Sequence, residues 1–146
     1  MESPSTSPIW WQDAKKHLRN VDPIISKIID SAEEPPLQGL GDVVITMCNA
    51  VVGQQISAIA ADAIWFRLIE FLGGKFDSSK ILDSDEESLR NVGLSRMKIR
   101  TLKGICDSAE LLRRIKWDSK SQNEIQSIMT EIWGVGPWTA EMAMIF

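Results

Sequence analysis

The sequence predicts an all-α fold, a helical bundle, and three observations carry that reading. No stretch sustains the period-2 alternation of a half-buried strand, and the chain has no Tyr and no β-branched-rich run bounded by turns. Helix starts are marked by explicit capping residues along the whole chain. Near the end, two helical patterns meet at Gly134-Val135-Gly136 with no loop between them. At 146 residues, 44% hydrophobic and 25% charged, the chain is long enough for one domain with an adequate core and has the composition of a soluble globular protein.

The N-terminal stretch Met1-Glu2-Ser3-Pro4-Ser5-Thr6-Ser7-Pro8 is Ser/Pro-rich and is expected to be disordered. It lacks the basic start and apolar core of a signal peptide. Helices are predicted over 9–20, 23–32, 41–52, 55–72, 84–92, 96–115, 121–132 and 137–146. Asp22-Pro23 supplies an N-cap with Pro in the first turn. Ser84-Asp85-Glu86-Glu87 and Ser121-Gln122-Asn123-Glu124 read as capping boxes. Gly73-Gly74 and Gly93 read as stops. Pro35-Pro36-Leu37-Gln38-Gly39 reads as a linker after the first helix pair. Ile56, Ile59, Ala60, Ala63, Phe66, Leu68 and Phe71 form a broad apolar stripe expected to face the core.

The net charge is −4, which argues against a generic nucleic-acid binder. The charge is uneven, however. Residues 90–116 hold eight Lys and Arg against Asp107 and Glu110, a local +6 that leaves −10 on the rest. Such a run is either a basic patch facing a polyanion or an ordinary solvated helix face. Cys48 and Cys106 sit in apolar surroundings and read as two reduced, buried thiols of an intracellular protein. With one His, they cannot build a zinc site. The apolar run Val43–Val52 is too short to span a bilayer, so no membrane association is expected.

The Gly134-Val135-Gly136 junction carries the chemistry. Gly at a helix end takes φ > 0 without steric cost, and a second Gly permits another tight reversal. Val135 is expected to face inward and tie the two helices together. Pro137 starts the second helix where its missing N–H costs nothing. The free amides and the positive dipole end of that helix then form an anion site, for which a DNA phosphate is the obvious occupant. This grip needs no Lys or Arg, so an acidic protein can still hold DNA. The motif is a helix-hairpin-helix; the plain alternative is an αα-corner with a Gly C-cap.

Gly134-Val135-Gly136-Pro137-Trp138-Thr139-Ala140-Glu141-Met142 resembles the helix-hairpin-helix (HhH-GPD) DNA glycosylases, and among them the 3-methyladenine DNA glycosylase II branch. Ala50-Val51-Val52-Gly53-Gln54-Gln55-Ile56-Ser57, followed by Ala60-Ala61, is similar to the segment that carries that branch's DNA-wedging residue. Asn91-Val92-Gly93-Leu94-Ser95 with Lys98 is similar to its internal Gly-Leu-Ser loop. The resemblance covers roughly residues 10–146 and implies this organisation: 1–8 disordered, 9–40 N-terminal helices, and 41–146 a glycosylase-like helical domain, truncated in the hairpin's second helix.

The resemblance implies base-excision repair, with removal of alkylated bases such as 3-methyladenine by base flipping. Gln55 would be the wedge that fills the emptied stack, with Gln54 beside it; alternatively the two amides cap a helix. Gly134, Val135, Gly136, Trp138 and Thr139 would form the DNA-binding hairpin. Trp138 and Met142 would line the base pocket, where an aromatic face suits a cationic base. Trp133 is a weaker pocket candidate and reads first as core. No cofactor is required, although a Na+ or K+ ion could sit on the carbonyls of Thr130, Ile132 and Gly134. Lyases of this family carry a Lys where Trp138 stands, and a Trp cannot form a Schiff base, so a monofunctional enzyme is implied. The family's catalytic Asp falls beyond Phe146. Glu141 and Asp118 are not substitutes, so residues 1–146 alone are expected to be inactive. The implied partner is double-stranded DNA with a damaged base, bound by a monomer in the cytoplasm and nucleoid, or in the nucleus if the source is eukaryotic. The alternatives are a non-catalytic helix-hairpin-helix DNA-binding module and an all-α interaction domain with a chance Gly-Val-Gly.

Overall fold

A computed structural model of the chain describes residue 8 and residues 10–32 and 38–145. The described residues are all helix, turn and loop. All but residue 8 of the stretch 1–8 expected to be disordered, and most of the Pro35–Gly39 linker, lie outside them. Two compact units are distinguished, the first within residues 1–41 and the second spanning Asp42–Ile145.

The first unit is a helical hairpin of α1 (Trp11–Val21) and α2 (Pro23–Ser31). Asp22 accepts from the amides of Ile24 and Ile25, and Pro23 opens α2, as the Asp-Pro pair predicts. Arg19 pairs with Asp30 at 2.8 Å across the hairpin. Neither helix has a buried residue, and Val21, Ile24 and Ile28 are exposed.

The second unit is built around α3 (Val43–Gly53), whose apolar residues occupy every side. Such a helix must be surrounded, and α3 packs against α4 (Ala58–Phe71), α7 (Arg96–Asp107), α8 (Ala109–Arg114) and α10 (Pro137–Ile145). Two short helices, α5 (Ser78–Asp83) and α6 (Glu86–Val92), pack on α7, and α9 (Gln122–Thr130) packs on α10. A 3-10 turn at Trp117–Ser119 joins α8 to α9. Val44, Met47, Val51 and Val52 of α3 join Leu68, Leu72, Ile81, Leu89, Leu102, Ile105, Leu112 and Met129 in the core. Burying a side chain of this size is worth about 1.5–3 kcal/mol.

Capping accounts for most boundaries. Ser121 and Glu124 form the reciprocal box expected of α9. Gly93 ends α6 in the left-handed region, and Gly73 and Gly74 also have positive φ. Asp42, not residue 41, caps α3, and its carboxylate also pairs with Arg113 of α8 at 2.7 Å. Burial pulls the Asp42 carboxyl upward, but the hydrogen bond from Arg113 and the Ile45 amide outweigh it and hold it below its ordinary 3.8.

Several expectations are corrected. The box at Ser84 does not form: Asp85 caps α6, and Ser84 ends α5, a short helix that the sequence reading left out. The long helix expected over 96–115 breaks at Ser108 into α7 and α8, which turns Leu112 and Ala109 into the core. The apolar stripe of α4 faces mostly outward. Ile59 is 84% and Phe66 63% exposed, and Phe71 and Ala63 are exposed as well. Of the stripe Leu68 is buried as expected, and the packed face adds Ile64, Trp65 and Leu72. Apolar residues surround this helix, so the pattern could not choose the face.

The basic run of residues 90–116 is mostly a solvated face: only Lys98 and Lys103 are half-buried, and the other six cations are exposed. Arg96 pairs with Glu86, Arg113 with Asp42 and Arg114 with Glu110. Lys103 donates to the carbonyls of Leu82 and Ser84, and Lys98 to those of Val52 and Gln54. Two cations outside the run act alike, Arg67 on Val92 O and Lys80 on Leu72 O. Four helices, α3 to α6, thus end beneath a side-chain cation, where orphan carbonyls and the negative dipole end favour one. Cys48 and Cys106 are both buried and free, and burial pushes the Cys48 thiol upward.

Candidate nucleic-acid interface

The hairpin forms at the expected place. After α9, Ile132 N donates to Met129 O and Val135 N to Ile132 O, two tight reversals in succession. Gly134 has φ +80°, and a Cβ there would collide with Thr101 Oγ1 and lie 3.1 Å from Thr101 Cβ. Here glycine is required twice, by backbone conformation and by the close approach of α7. Gly136 differs from the expectation of a second strained reversal. Its φ is not positive, and a Cβ would meet nothing within 4 Å. Its bare backbone instead opens the face in front of α10.

Val135 is buried, as expected of the residue that ties the two helices. Pro137 opens α10, so the Trp138 and Thr139 amides lie in a first turn that has no helical acceptors for them. Those amides and the dipole suit an anion.

An open cleft of about 410 Å³ lies in front of this helix start. Gln54, Gln55, Gly134, Gly136, Pro137, Trp138 and Thr139 line it. Residues more than seventy positions apart in the chain, predicted separately as wedge and hairpin, therefore share one cavity. No Asp or Glu is among the lining residues.

Gln54 and Gln55 do not cap the start of α4; Gln54 is instead the C-cap of α3, its N–H donating to Val51 O. Ser57 caps α4 by accepting from Ala60 N, and the two glutamines form the turn between α3 and α4. Gln55 has φ +58°, alone among the described non-glycine residues in the left-handed region. Such a conformation is uncommon for a residue with a Cβ and persists only where surrounding contacts enforce it. Gln55 is exposed, whereas Gln54 turns inward and donates from Nε2 to Thr139 Oγ1 at 2.6 Å. Thr139 is 1% exposed, and its side chain fastens the wedge turn to α10.

Trp138 is about half exposed at the cleft. Met142 is half-buried one turn further along α10 and is not among the lining residues. Trp133 lies elsewhere: Arg100 stacks over its ring at 3.8 Å, and it borders a different groove, with Leu111 and Ile128. Of the three carbonyls proposed to hold a cation, that of Ile132 already accepts from Val135 N. Among the described residues, no cluster of His, Cys, Asp and Glu could hold a metal. None of the described helices is long and apolar enough to cross a membrane.

Sequence reasoning named Lys98 only with the Gly-Leu-Ser segment and missed what α7 supplies around the hairpin and the wedge turn. Lys98 holds the wedge turn, Arg100 stacks on Trp133, Thr101 closes on Gly134, and Gly104 admits Ile132. The spacing of Lys98, Thr101 and Gly104 on one helical face was visible in the sequence; what that face met was not.

The chain is 34% identical over 105 residues to DNA-3-methyladenine glycosylase 1 of Schizosaccharomyces pombe, an alignment covering 68% of this chain and 46% of that protein. It is 29% identical over 117 residues to the DNA-3-methyladenine glycosylase of Saccharomyces cerevisiae, covering 73% of this chain and 40% of that protein. The chain thus spans less than half the length of these two relatives. Its fold is similar to the solved structure of the Schizosaccharomyces pombe 3-methyladenine DNA glycosylase in complex with abasic DNA. That match has a TM-score of 0.80 at 30% identity and covers 92% of this chain and 69% of that one. No family model matches the chain.

Proposed function

The chain belongs to the family of helix-hairpin-helix 3-methyladenine DNA glycosylases, and on that premise we propose that it is the DNA-gripping part of a monofunctional N-glycosylase of base-excision repair. The single observation that carries this reading is the shared cleft, where the strained Gln55 turn faces the open start of α10. One phosphate is held by the Trp138 and Thr139 amides, while Gln55 enters the duplex and fills the place of an extruded base. Extrusion costs a few kcal/mol, which the inserted side chain and the phosphate contacts offset.

The substrates we propose are alkylated bases such as 3-methyladenine. Alkylation makes the purine cationic and a better leaving group. The glycosidic C1′–N bond breaks, the base leaves with the bonding electrons as a neutral purine, and water adds to the cationic C1′ and gives up one proton to the catalytic carboxylate or to solvent. The half-exposed face of Trp138 attracts such a cation by about 0.5–2 kcal/mol. A lyase would need a free amine at this point. Trp138 has none, and the Lys98 ammonium is engaged by two carbonyls, its pKa lowered by burial.

The reaction also needs a carboxylate to activate water or to stabilise the cationic sugar, and the lining residues supply none. We therefore propose that residues 1–146 hold DNA without cutting it, and that the catalytic Asp belongs to chain following α10. The same observation favours, as second reading, a DNA-binding module without cleavage. The carbonyls of Thr130, Ile132 and Gly134 are neutral oxygens of the kind that replace the hydration shell of Na+ or K+. Such an ion would fix the hairpin turn behind the phosphate.

Release of 3-methyladenine from methylated duplex DNA by the full-length gene product, beside residues 1–146, decides between the two readings. Release by the longer protein alone is expected. Release by neither leaves the binding module, and release by residues 1–146 refutes the assignment of the carboxylate.

A further inference from the structure

Lys98 lies outside the cleft, yet its ammonium holds the turn that carries Gln55. From the first turn of α7, Nζ donates to Val52 O at 2.7 Å and to Gln54 O at 2.9 Å. These carbonyls flank the end of α3, where the chain turns away and leaves them without helical amides. The next residue is Gln55, with φ +58°. A left-handed backbone is unfavourable for a residue with a Cβ, so something must enforce it. Lys98 grips the turn from one side, and the Gln54–Thr139 hydrogen bond grips it from the other. Three residues along α7, Thr101 closes on Gly134 of the hairpin. One turn of a single helix therefore spaces the wedge turn from the phosphate grip.

We infer that Lys98 is a positioning residue that pre-forms the Val52–Gln55 turn in its left-handed shape, so that Gln55 is offered to DNA at a distance from the hairpin set by α7. This rests on the reading of Gln55 as the wedge. The ammonium is suited to the task because one compact group with three donors can serve two carbonyls at once.

The test replaces Lys98 with Met, which fills the same space without donors, and with Arg, which keeps the charge and the donors. The first readout needs no DNA: the three-bond HN–Hα coupling and Cα shift of Gln55 report its φ. The left-handed signature should persist in the wild type and Lys98→Arg and be lost in Lys98→Met. The second readout is binding to a duplex with a tetrahydrofuran abasic analogue, flanked by 2-aminopurine as a reporter of unstacking. Lys98→Met should weaken that binding by about fivefold to thirtyfold, the equilibrium equivalent of losing an enforced left-handed residue. It should blunt the 2-aminopurine signal while leaving the affinity and salt slope for undamaged duplex unchanged. In a Gln55→Ala background it should add nothing. Failure of the wild type to bind abasic DNA would refute the functional reading, whereas the Gln55 coupling still judges the geometric role. A retained left-handed signature in Lys98→Met, an equal loss on both duplexes, or full additivity with Gln55→Ala overturns the inference. If Lys98→Met does not fold, Lys98→Gln is judged by the same coupling and the same additivity.

Discussion

Replacing Gly134 with Ala separates the two reasons for glycine in the hairpin. The first is conformational: at φ +80° an added Cβ costs about 1–2 kcal/mol. The second is steric. The new Cβ collides with Thr101 Oγ1 and stands 3.1 and 3.2 Å from Thr101 Cβ and Cγ2. Thr101 is 3% exposed and its hydroxyl donates to Met97 O at 3.0 Å, so it has little room to turn away. Overpacking of this kind costs about 1–3 kcal/mol. The expected total is roughly 2–5 kcal/mol, a large share of a stability of about 5–15 kcal/mol. Urea denaturation of wild type, Gly134→Ala, Thr101→Ala and the double variant measures it. Thr101→Ala alone should cost roughly 1 kcal/mol. In its background, which removes Oγ1 and Cγ2 but keeps Cβ, Gly134→Ala should cost the conformational part and a small remainder of the steric part, so the two substitutions couple favourably by about 1–3 kcal/mol. Additivity within about 0.5 kcal/mol would refute the close approach of α7 to the hairpin. A Gly134→Ala variant as stable as the wild type would refute both reasons.

The neighbouring glycine should behave in the opposite way. Gly136→Leu meets open space, so stability should stay within about 0.5 kcal/mol of wild type while salt-dependent binding to abasic-analogue DNA is lost, as titration at two salt concentrations will show. Asp42→Asn keeps the α3 cap but removes the ion pair with Arg113. Because the Asp42 carboxyl is held below 3.8 in the fold, the wild-type advantage should be full above that pH and fade as pH falls through the lowered value. A wild-type advantage that stays constant in denaturation profiles from pH 7 to pH 2 would exclude the pair as a contributor. If the proposed function holds, Trp138→Ala in a protein that carries the proposed catalytic Asp should slow release of cationic 3-methyladenine by about twofold to thirtyfold, the range of a cation–π contact, with a smaller effect on a neutral base. Equal slowing of both bases in single-turnover assays would remove the cation-specific role.

The candidate site was legible in unequal parts. Gln54 and Gln55, Gly134, Gly136, Trp138 and Thr139 were found from motif and resemblance, and they line one cleft. Their separate tasks were not legible. Gly134 and Gly136 look alike in the chain, but one is pressed by Thr101 and the other faces open space. Gln54 and Gln55 are neighbours of the same type, yet one is tied to Thr139 and the other is exposed and left-handed. Lys98 and Lys103 could not be told from the exposed cations of residues 90–116, because carbonyl acceptors leave no trace in a sequence.

By itself the sequence determined what depends on a few consecutive residues. The Asp22-Pro23 and Ser121–Glu124 starts, the Gly93 stop and the Gly134 turn all rest on hydrogen bonds and φ preferences within about one helical turn. Tertiary structure alone decided what depends on partners distant in the chain. It selected Ile64, Leu68 and Leu72 over Ile59 and Phe66 as the packed face of α4, because apolar residues surround that helix. It split the helix predicted over 96–115 at Ser108, where Ala109 and Leu112 enter the core. It also set Lys98 beneath Val52 and Gln54, forty-four or more residues away, since only the packing of α3 on α7 brings the half-buried ammonium to those orphan carbonyls.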